Sequence, residues 1–321
     1  MELTVHSLDQ GLNDILWRFR SSSELEQTRN GRALRLTEPI MVTYANPTER
    51  VLFNPKRDAN PYFHLMECLW MMAGRNDVLW VSQFNKRMRE FSDNELNFHG
   101  AYGHRWRRHF GVDQVMDIVH LLQHEPFTRR AVIAMWDPND DLDVDSVDLP
   151  CNTHIYFDIV KGRLNMTVCN RSNDVIWGMF GANAVHMSFL QEIVASMLHR
   201  EVGVYRQFSN NAHLYTEIGQ GWELYSNIPT NVESVYEVEG IQSYPLVYDP
   251  NHWFNDLDIF MHEGDFTEIK NPFFHEVAIP MWDSWFDRKE GRNDGRKALE
   301  DVRADDWRLA CLQWIERREQ K

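Results

Sequence analysis

Residues 183–199 constrain this chain more than any other stretch. Val185, Phe189, Leu190, Ile193, Val194, Met197 and Leu198 recur there at helical spacing. A helix that apolar belongs in a packed interior, so other elements must cover it. The preceding segment offers candidates. Residues 152–160 and 163–169 read as two strands joined at Lys161-Gly162, a hairpin in which Leu164, Met166 and Val168 alternate with polar neighbours. Strands mixed with packed helices indicate an α/β or α+β fold.

Further elements follow the same logic. Asn60-Pro61 predicts a helix start, with Asn as cap and Pro in the first turn. Phe63, Met66, Leu69, Trp70 and Ala73 mark its inner face, and Gly74 can end it. Residues 113–124 predict an amphipathic helix with Val115, Ile118, Val119 and Leu122 on one side. Residues 130–136 read as a buried strand, 137–148 as an acidic loop, and 296–318 as a surface helix with a charged end. Residues 1–50 mix helix and strand signals. No linker separates two units. One domain with a peripheral C-terminal extension is expected.

The 321 residues are 43% hydrophobic and 25% charged, values that exclude disordered, collagen-like and coiled-coil chains. No apolar run approaches the roughly 18 residues of a membrane span, and no basic-then-apolar leader opens the chain. A cytoplasmic protein without a membrane partner is expected. The net charge of −15 argues against a nucleic-acid partner, yet leaves room for a small anion in one basic pocket. Cys68, Cys151, Cys169 and Cys311 are widely spaced, so neither a disulfide framework nor a zinc knuckle is indicated. H-E-x-x-H, P-loop, G-x-S-x-G and G-x-G-x-x-G motifs are missing, and no metal is expected. A single cysteine nucleophile becomes the leading chemical idea.

Five clusters can carry chemistry. Cys151, in Leu149-Pro150-Cys151-Asn152-Thr153, stands where a loop enters a strand, a good place to present a nucleophile. A lone cysteine is more often a small buried hydrophobe. Arg129-Arg130 can pair with a phosphate or simply decorate the surface. Arg171-Ser172-Asn173-Asp174 offers anion and N–H ligands, or a polar turn. Glu67 lies near the apolar face of its helix; buried, it can act as general acid or base, and otherwise it is a stripe-edge carboxylate partnered by an arginine. His213 and Tyr215 share a strand face and can grip a sugar hydroxyl, or are satisfied polar residues of a sheet. Taken singly, the plainer readings hold their own.

Taken together and in this order, the clusters resemble thymidylate synthase and its relatives, the phage-type pyrimidine nucleotide hydroxymethylases. The matching stretches are Glu67-Cys68-Leu69-Trp70, Tyr102-Gly103-His104-Arg105-Trp106-Arg107, Thr128-Arg129-Arg130, Pro150-Cys151, Arg171-Ser172-Asn173-Asp174-Val175 and Asn210-Asn211-Ala212-His213-Leu214-Tyr215. They span roughly residues 25–245. The resemblance implies a large mixed sheet packed against helices, a sheet-mediated homodimer, a catalytic domain over residues 1–245 with 246–321 an extension packed on it, and a place in the host cytoplasm if a phage encodes it. It implies transfer of a one-carbon unit from 5,10-methylenetetrahydrofolate to C5 of a pyrimidine nucleoside monophosphate.

Residue by residue, Cys151 matches the nucleophile that attacks C6, its thiolate favoured by nearby arginines. Glu67 matches the catalytic glutamate and Tyr102 the tyrosine near the C5 proton. Arg171 and Ser172 match phosphate ligands, and Arg129 and Arg130 match the pair that reaches the partner subunit's nucleotide. Arg29, in Thr28-Arg29-Asn30-Gly31, matches the loop arginine that closes on phosphate. His213 and Tyr215 match the ribose-hydroxyl pair, and Asp174 the pterin ligand. Asn183 is the base reader once one extra residue is placed after Gly178. In the family an Asn here goes with uracil and an Asp with cytosine. An amide complements uracil's N3–H and O4, although a flipped amide also satisfies cytosine. The expected substrate is therefore dUMP, with dCMP or CMP as alternatives.

Three departures bear on the reaction. Met88 and Phe91 stand where synthases place tryptophans over the folate. Asn152 follows the nucleophile where synthases have histidine. The sequence ends Arg317-Arg318-Glu319-Gln320-Lys321, where synthases carry a short apolar tail. Both reactions pass through an exocyclic methylene; the synthase quenches it with hydride, the hydroxymethylase with water, so water access decides. The departures favour a dUMP 5-hydroxymethylase over a thymidylate synthase. The alternative from another class is a non-catalytic nucleotide-binding protein, which the joint presence of Cys151, Glu67 and Asp174 opposes.

Overall fold

The computed structural model describes residues 1–262 and 265–320. Glu263, Gly264 and Lys321, all within the expected extension 246–321, lie outside the described residues. The strands are β1 (Glu2–Val5), β2 (Ser23–Thr28), β3 (Gly31–Leu36), β4 (Ile40–Tyr44), β5 (Val132–Ala134), β6 (Asn152–Val160), β7 (Arg163–Asn170), β8 (Asn173–Asp174), β9 (Glu201–Ser209) and β10 (Ala212–Tyr215). The main helices are α1 (Leu8–Ser22), α2 (Pro61–Met72), α3 (Gln114–His124), α4 (Ala182–Met197), α5 (Trp253–Met261), α6 (Ile279–Lys289) and α7 (Asp305–Glu319).

The larger sheet runs β1-β4-β9-β7-β6-β5 and is mixed, with β1–β4 and β7–β9 parallel. This is the expected large mixed sheet. A second sheet, β2-β3-β10-β8, was not foreseen in residues 1–50. The β6–β7 hairpin turns at Lys161 and Gly162, both at positive φ (53° and 82°), the conformation of a tight two-residue turn. The strand expected over 130–136 shortens to Val132–Ala134. A bulge between Asn152 and His154 interrupts the ladder, and the N–H groups of Met135 and Trp136 both turn to the Thr153 carbonyl.

Helix α4 connects the parallel β7 and β9 and is buried continuously from Asn183 to Ala195. Its Gln191 Nε2 donates to the Leu164 carbonyl at 2.8 Å, pinning the helix to the sheet. Helix α2 starts where expected: the Asn60 side chain accepts from the Phe63 N–H at 3.2 Å. Helix α3 buries Val115, Ile118, Val119 and Leu122 as its spacing predicts.

The surface helix expected over 296–318 is corrected. It breaks into Arg296–Leu299 and α7, and α7 buries Trp307, Ala310, Cys311, Trp314 and Ile315. Charged residues on its outer face hid this inner one. Arg317 and Arg318 bind Asp58 at 3.0 and 2.9 Å. Tyr62 and Ser284 share a buried hydrogen bond of 2.7 Å, and the Val247 N–H donates to Glu192 at 3.0 Å. These contacts place α5–α7 in the same apolar core as the sheet.

Candidate active site

One cleft of about 850 Å³ gathers every expected site residue except Arg129 and Arg130. Its floor is made where the two sheets and α4 meet. Cys151 stands just ahead of β6, and Arg171 and Ser172 just after β7. Hairpin register makes Cys151 and Arg171 neighbours: the Arg171 N–H donates to the Cys151 carbonyl at 2.9 Å. Arg171 Nε and Nη2 donate to the Pro150 and Leu149 carbonyls at 3.0 and 3.2 Å, fixing the guanidinium beside the thiol.

Burial pushes the Cys151 thiol above its ordinary value; the charge of Arg171 opposes this and that of Asp148 adds to it. Arg171 therefore acts in the expected direction, but burial outweighs it. Burial also raises the Asp148 carboxyl to about 6, against a hydrogen bond of 2.8 Å from the Gly100 N–H. Tyr102, at the start of the short helix Tyr102–His104, has its phenol pushed well up by burial and then by Cys151. Asp174 is raised by burial, with His213 opposing. One oxygen of Asp174 accepts from the N–H groups of Ile176 and Trp177 at 2.8 and 2.6 Å. That cap starts a π-turn over Val175–Met179. A π-turn winds one residue wider than an α-turn, and the extra residue required after Gly178 falls at its end.

Asn183 lies in the first turn of α4, 8% exposed. Its Nδ2 donates to Asn173 Oδ1 at 3.1 Å. Asn173 Nδ2 donates in turn to Gln207 Oε1 and Ser209 Oγ at 2.6 and 3.0 Å. A relay of buried amides thus holds the Asn183 side chain in place. On β10 the rings of His213 and Tyr215 meet edge to face at 5.0 Å, and Asn30 donates to the Tyr215 hydroxyl at 3.3 Å.

Arg29 sits at the tip of the β2–β3 hairpin and donates to the Ser146 and Val147 carbonyls at 2.9 and 3.1 Å, at the cleft rim. Met88 and Phe91 come from a short 3-10 helix, Lys86–Phe91. Trp70 and Trp177, to which sequence reasoning gave no site role, also line the cleft. Asn152 is buried behind Cys151 and does not line the cleft.

Glu67 reaches the cleft from α2. Its partner is not an arginine: Oε2 lies 3.1 Å from Nε2 of His186. His186 received no role from the sequence. The signal was present, since it follows Asn183 by three residues and shares its helix face. Arg129 and Arg130 lie outside this cleft, both exposed, and Arg130 pairs with Glu125 at 2.7 Å.

Residues 24–231 match the sequence profile of thymidylate synthase. The chain belongs to the thymidylate synthase family. It is 44% identical to a deoxyuridylate hydroxymethyltransferase of Pseudomonas phage M6, over 98% of this chain and 94% of that protein. A deoxyuridylate hydroxymethyltransferase of Bacillus phage SP01 is 32% identical over 73% of this chain and 65% of its own length. A putative thymidylate synthase of Methanothermobacter marburgensis is 30% identical over 67% of this chain and 92% of its own. Members of the thymidylate synthase family are one-carbon transferases, and this chain is an enzyme of that class. Among the described residues no helix is long and apolar enough to cross a membrane.

Proposed function

We propose that this enzyme is a deoxyuridylate 5-hydroxymethylase, joining a one-carbon unit from 5,10-methylenetetrahydrofolate to C5 of dUMP and completing the reaction with water. The observation that carries the choice is the likeness to the phage M6 hydroxymethyltransferase along 98% of the chain. A thymidylate synthase is the second reading, favoured by the archaeal relative.

Cys151 Sγ attacks C6 of the pyrimidine, with Arg171 offsetting the charge as the thiol loses its proton. Arg171, Ser172 and Arg29 hold the phosphate, for which Arg29 must leave the loop carbonyls it now caps. Asn183 reads uracil: with Nδ2 toward Asn173, its second N–H and its Oδ1 remain for O4 and N3–H. His213 and Tyr215 hold the ribose hydroxyl. Tyr102 lies beside Cys151, placed to assist removal of the C5 proton.

The cleft suits a folate. Trp70, Trp177, Met88 and Phe91 offer an apolar wall for a flat heterocycle, and the Asp174 oxygen not engaged in capping can accept a pterin N–H. When bound, the folate supplies the one-carbon unit. Residues 246–321 are proposed as an extension of the catalytic domain. A homodimer through the large sheet would bring Arg129 and Arg130 to the partner's nucleotide. In support, Phe127, Tyr156 and Val160 on that side are 91%, 42% and 48% exposed in the single chain.

The test is product mass. The protein is incubated with methylenetetrahydrofolate and a mixture of dUMP, dCMP and CMP. A gain of CH2O on dUMP is expected. A gain of CH2 on dUMP with dihydrofolate formed would establish the synthase instead. No gain on any nucleotide would leave a binding protein.

A further inference from the structure

The roles above leave His186 unused. It lines the cleft one helical turn beyond Asn183, and its side chain is 4% exposed. Its Nε2 faces Glu67 Oε2 at 3.1 Å, and Glu67 is 12% exposed. Both atoms are buried and neither makes a hydrogen bond among the described residues, so they meet as a close ion-pair contact rather than an aligned hydrogen bond. A carboxylate that engages one imidazole nitrogen fixes the ring and leaves the other nitrogen as a proton acceptor. His64 is the nearest other ring, edge-on at 6.2 Å. Burial, then His186 and Arg57, hold His64 well below its ordinary value.

We propose that His186, oriented by Glu67, is the general base that deprotonates the water in the final step. The inference rests on the hydroxymethylase reading and deepens it. In that step a lone pair of the water oxygen forms the bond to the exocyclic methylene carbon. The methylene π pair moves into the ring toward O4, and the water proton passes to Nδ1 of His186. Re-forming C5=C6 then breaks the C6–Sγ bond and releases Cys151 as thiolate, which recovers the proton. Nothing is oxidised or reduced. This base acts after C5 deprotonation, so its loss should separate two events that other lesions remove together.

The experiment compares wild type with His186→Gln and His186→Ala, using dUMP tritiated at C5 with methylenetetrahydrofolate. Release of tritium in a single turnover should stay within about threefold of wild type. Hydroxymethyl product should fall by roughly 10²–10⁴-fold, the usual contribution of a general base. An added small thiol should capture the stalled methylene, seen by mass as a thioether on C5. Unchanged product formation in both variants would overturn the proposal. So would a parallel fall of tritium release and product in the near-isosteric Gln variant that still binds dUMP. Wild-type enzyme yielding dTMP would sink the hydroxymethylase reading itself, a different result.

Discussion

Asp141→Ala should unfold this protein several degrees early. Asp141 and Arg105 are both fully buried, and the guanidinium meets the carboxylate with two bonds of 2.7 Å. Asp141 also accepts from the Asp137 N–H and sits 2.8 Å from His99 Nε2. Burial alone would raise its carboxyl; the hydrogen bonds from Arg105, then Asp137 and His99, outweigh it and hold the carboxyl below its ordinary value. Without the carboxylate, Arg105 keeps only the Met135 and His99 carbonyls, and its Nε already lacks a partner among the described residues. A buried charge stripped of its partner costs about 3–5 kcal/mol. At roughly 2.1 cal/mol/K per residue, 321 residues give an unfolding entropy near 0.7 kcal/mol/K, hence a Tm loss of about 4–7 °C. Circular dichroism melts at pH 7 measure it. Replacing both partners, Arg105→Met with Asp141→Leu, should recover most of the loss, because the penalty belongs to the orphaned charge. A Tm loss under about 1 °C, or a double variant no better than the single one, would refute the reasoning.

Other outcomes follow from the same geometry. Asp148→Asn removes a charge that raises the Cys151 thiol, so Cys151 should alkylate faster with iodoacetamide at pH 7, read by peptide mass spectrometry. Gly178→Ala would put a Cβ 2.4 Å from Asn173 Oδ1 and 3.0 Å from Asn183 Nδ2. That crowding costs about 1–3 kcal/mol and should lower kcat/KM for dUMP at least tenfold. Asp9 holds its proton up to about 6 when folded, against 3.8 unfolded, chiefly through burial. The folded state binds more protons in that window, so stability should fall by about 2.4 kcal/mol as pH rises from 4 to well beyond 6. The Tm of Asp9→Asn should fall less over that range. Mixing Arg130→Ala with Cys151→Ala subunits should restore activity if Arg130 serves the partner's cleft; no recovery would end the cross-subunit assignment.

The elements with dense local signals were readable. The Asn60-Pro61 cap, the Lys161-Gly162 turn and the apolar α4 each depend on neighbours in sequence, and each appears where expected. The cleft was readable because its residues came as ordered clusters. The misses were long-range. Asp141 looked like one more charge in an acidic loop until Arg105, 36 residues earlier, enclosed it. Helix α7 looked like a surface helix because Arg and Glu flank its Trp307–Trp314 face. Glu67 looked like half of an arginine pair, since nothing local to α2 announces a histidine on α4. Partner choice across the core is set by packing, and no spacing rule encodes it.

In the proposed reaction hydride and water compete for one carbon, and Met88 and Phe91, which line the cleft, are proposed to bear only on whether water enters. Admission is not activation; in the proposed reaction a base must also stand at the carbon. Asn183, proposed to read the base, and His186, proposed to activate water, lie one turn apart on one face of α4. Any displacement of the start of α4 therefore moves both together. That start is set by the π-turn at Val175–Met179 and by Gly178 against the amide pair. A lesion at Gly178 should impair base choice and hydroxymethylation in parallel. A lesion at Met88 or Phe91 should change the ratio of hydroxymethyl to methyl product with base choice intact. The two kinds of lesion separate admission of water from its activation.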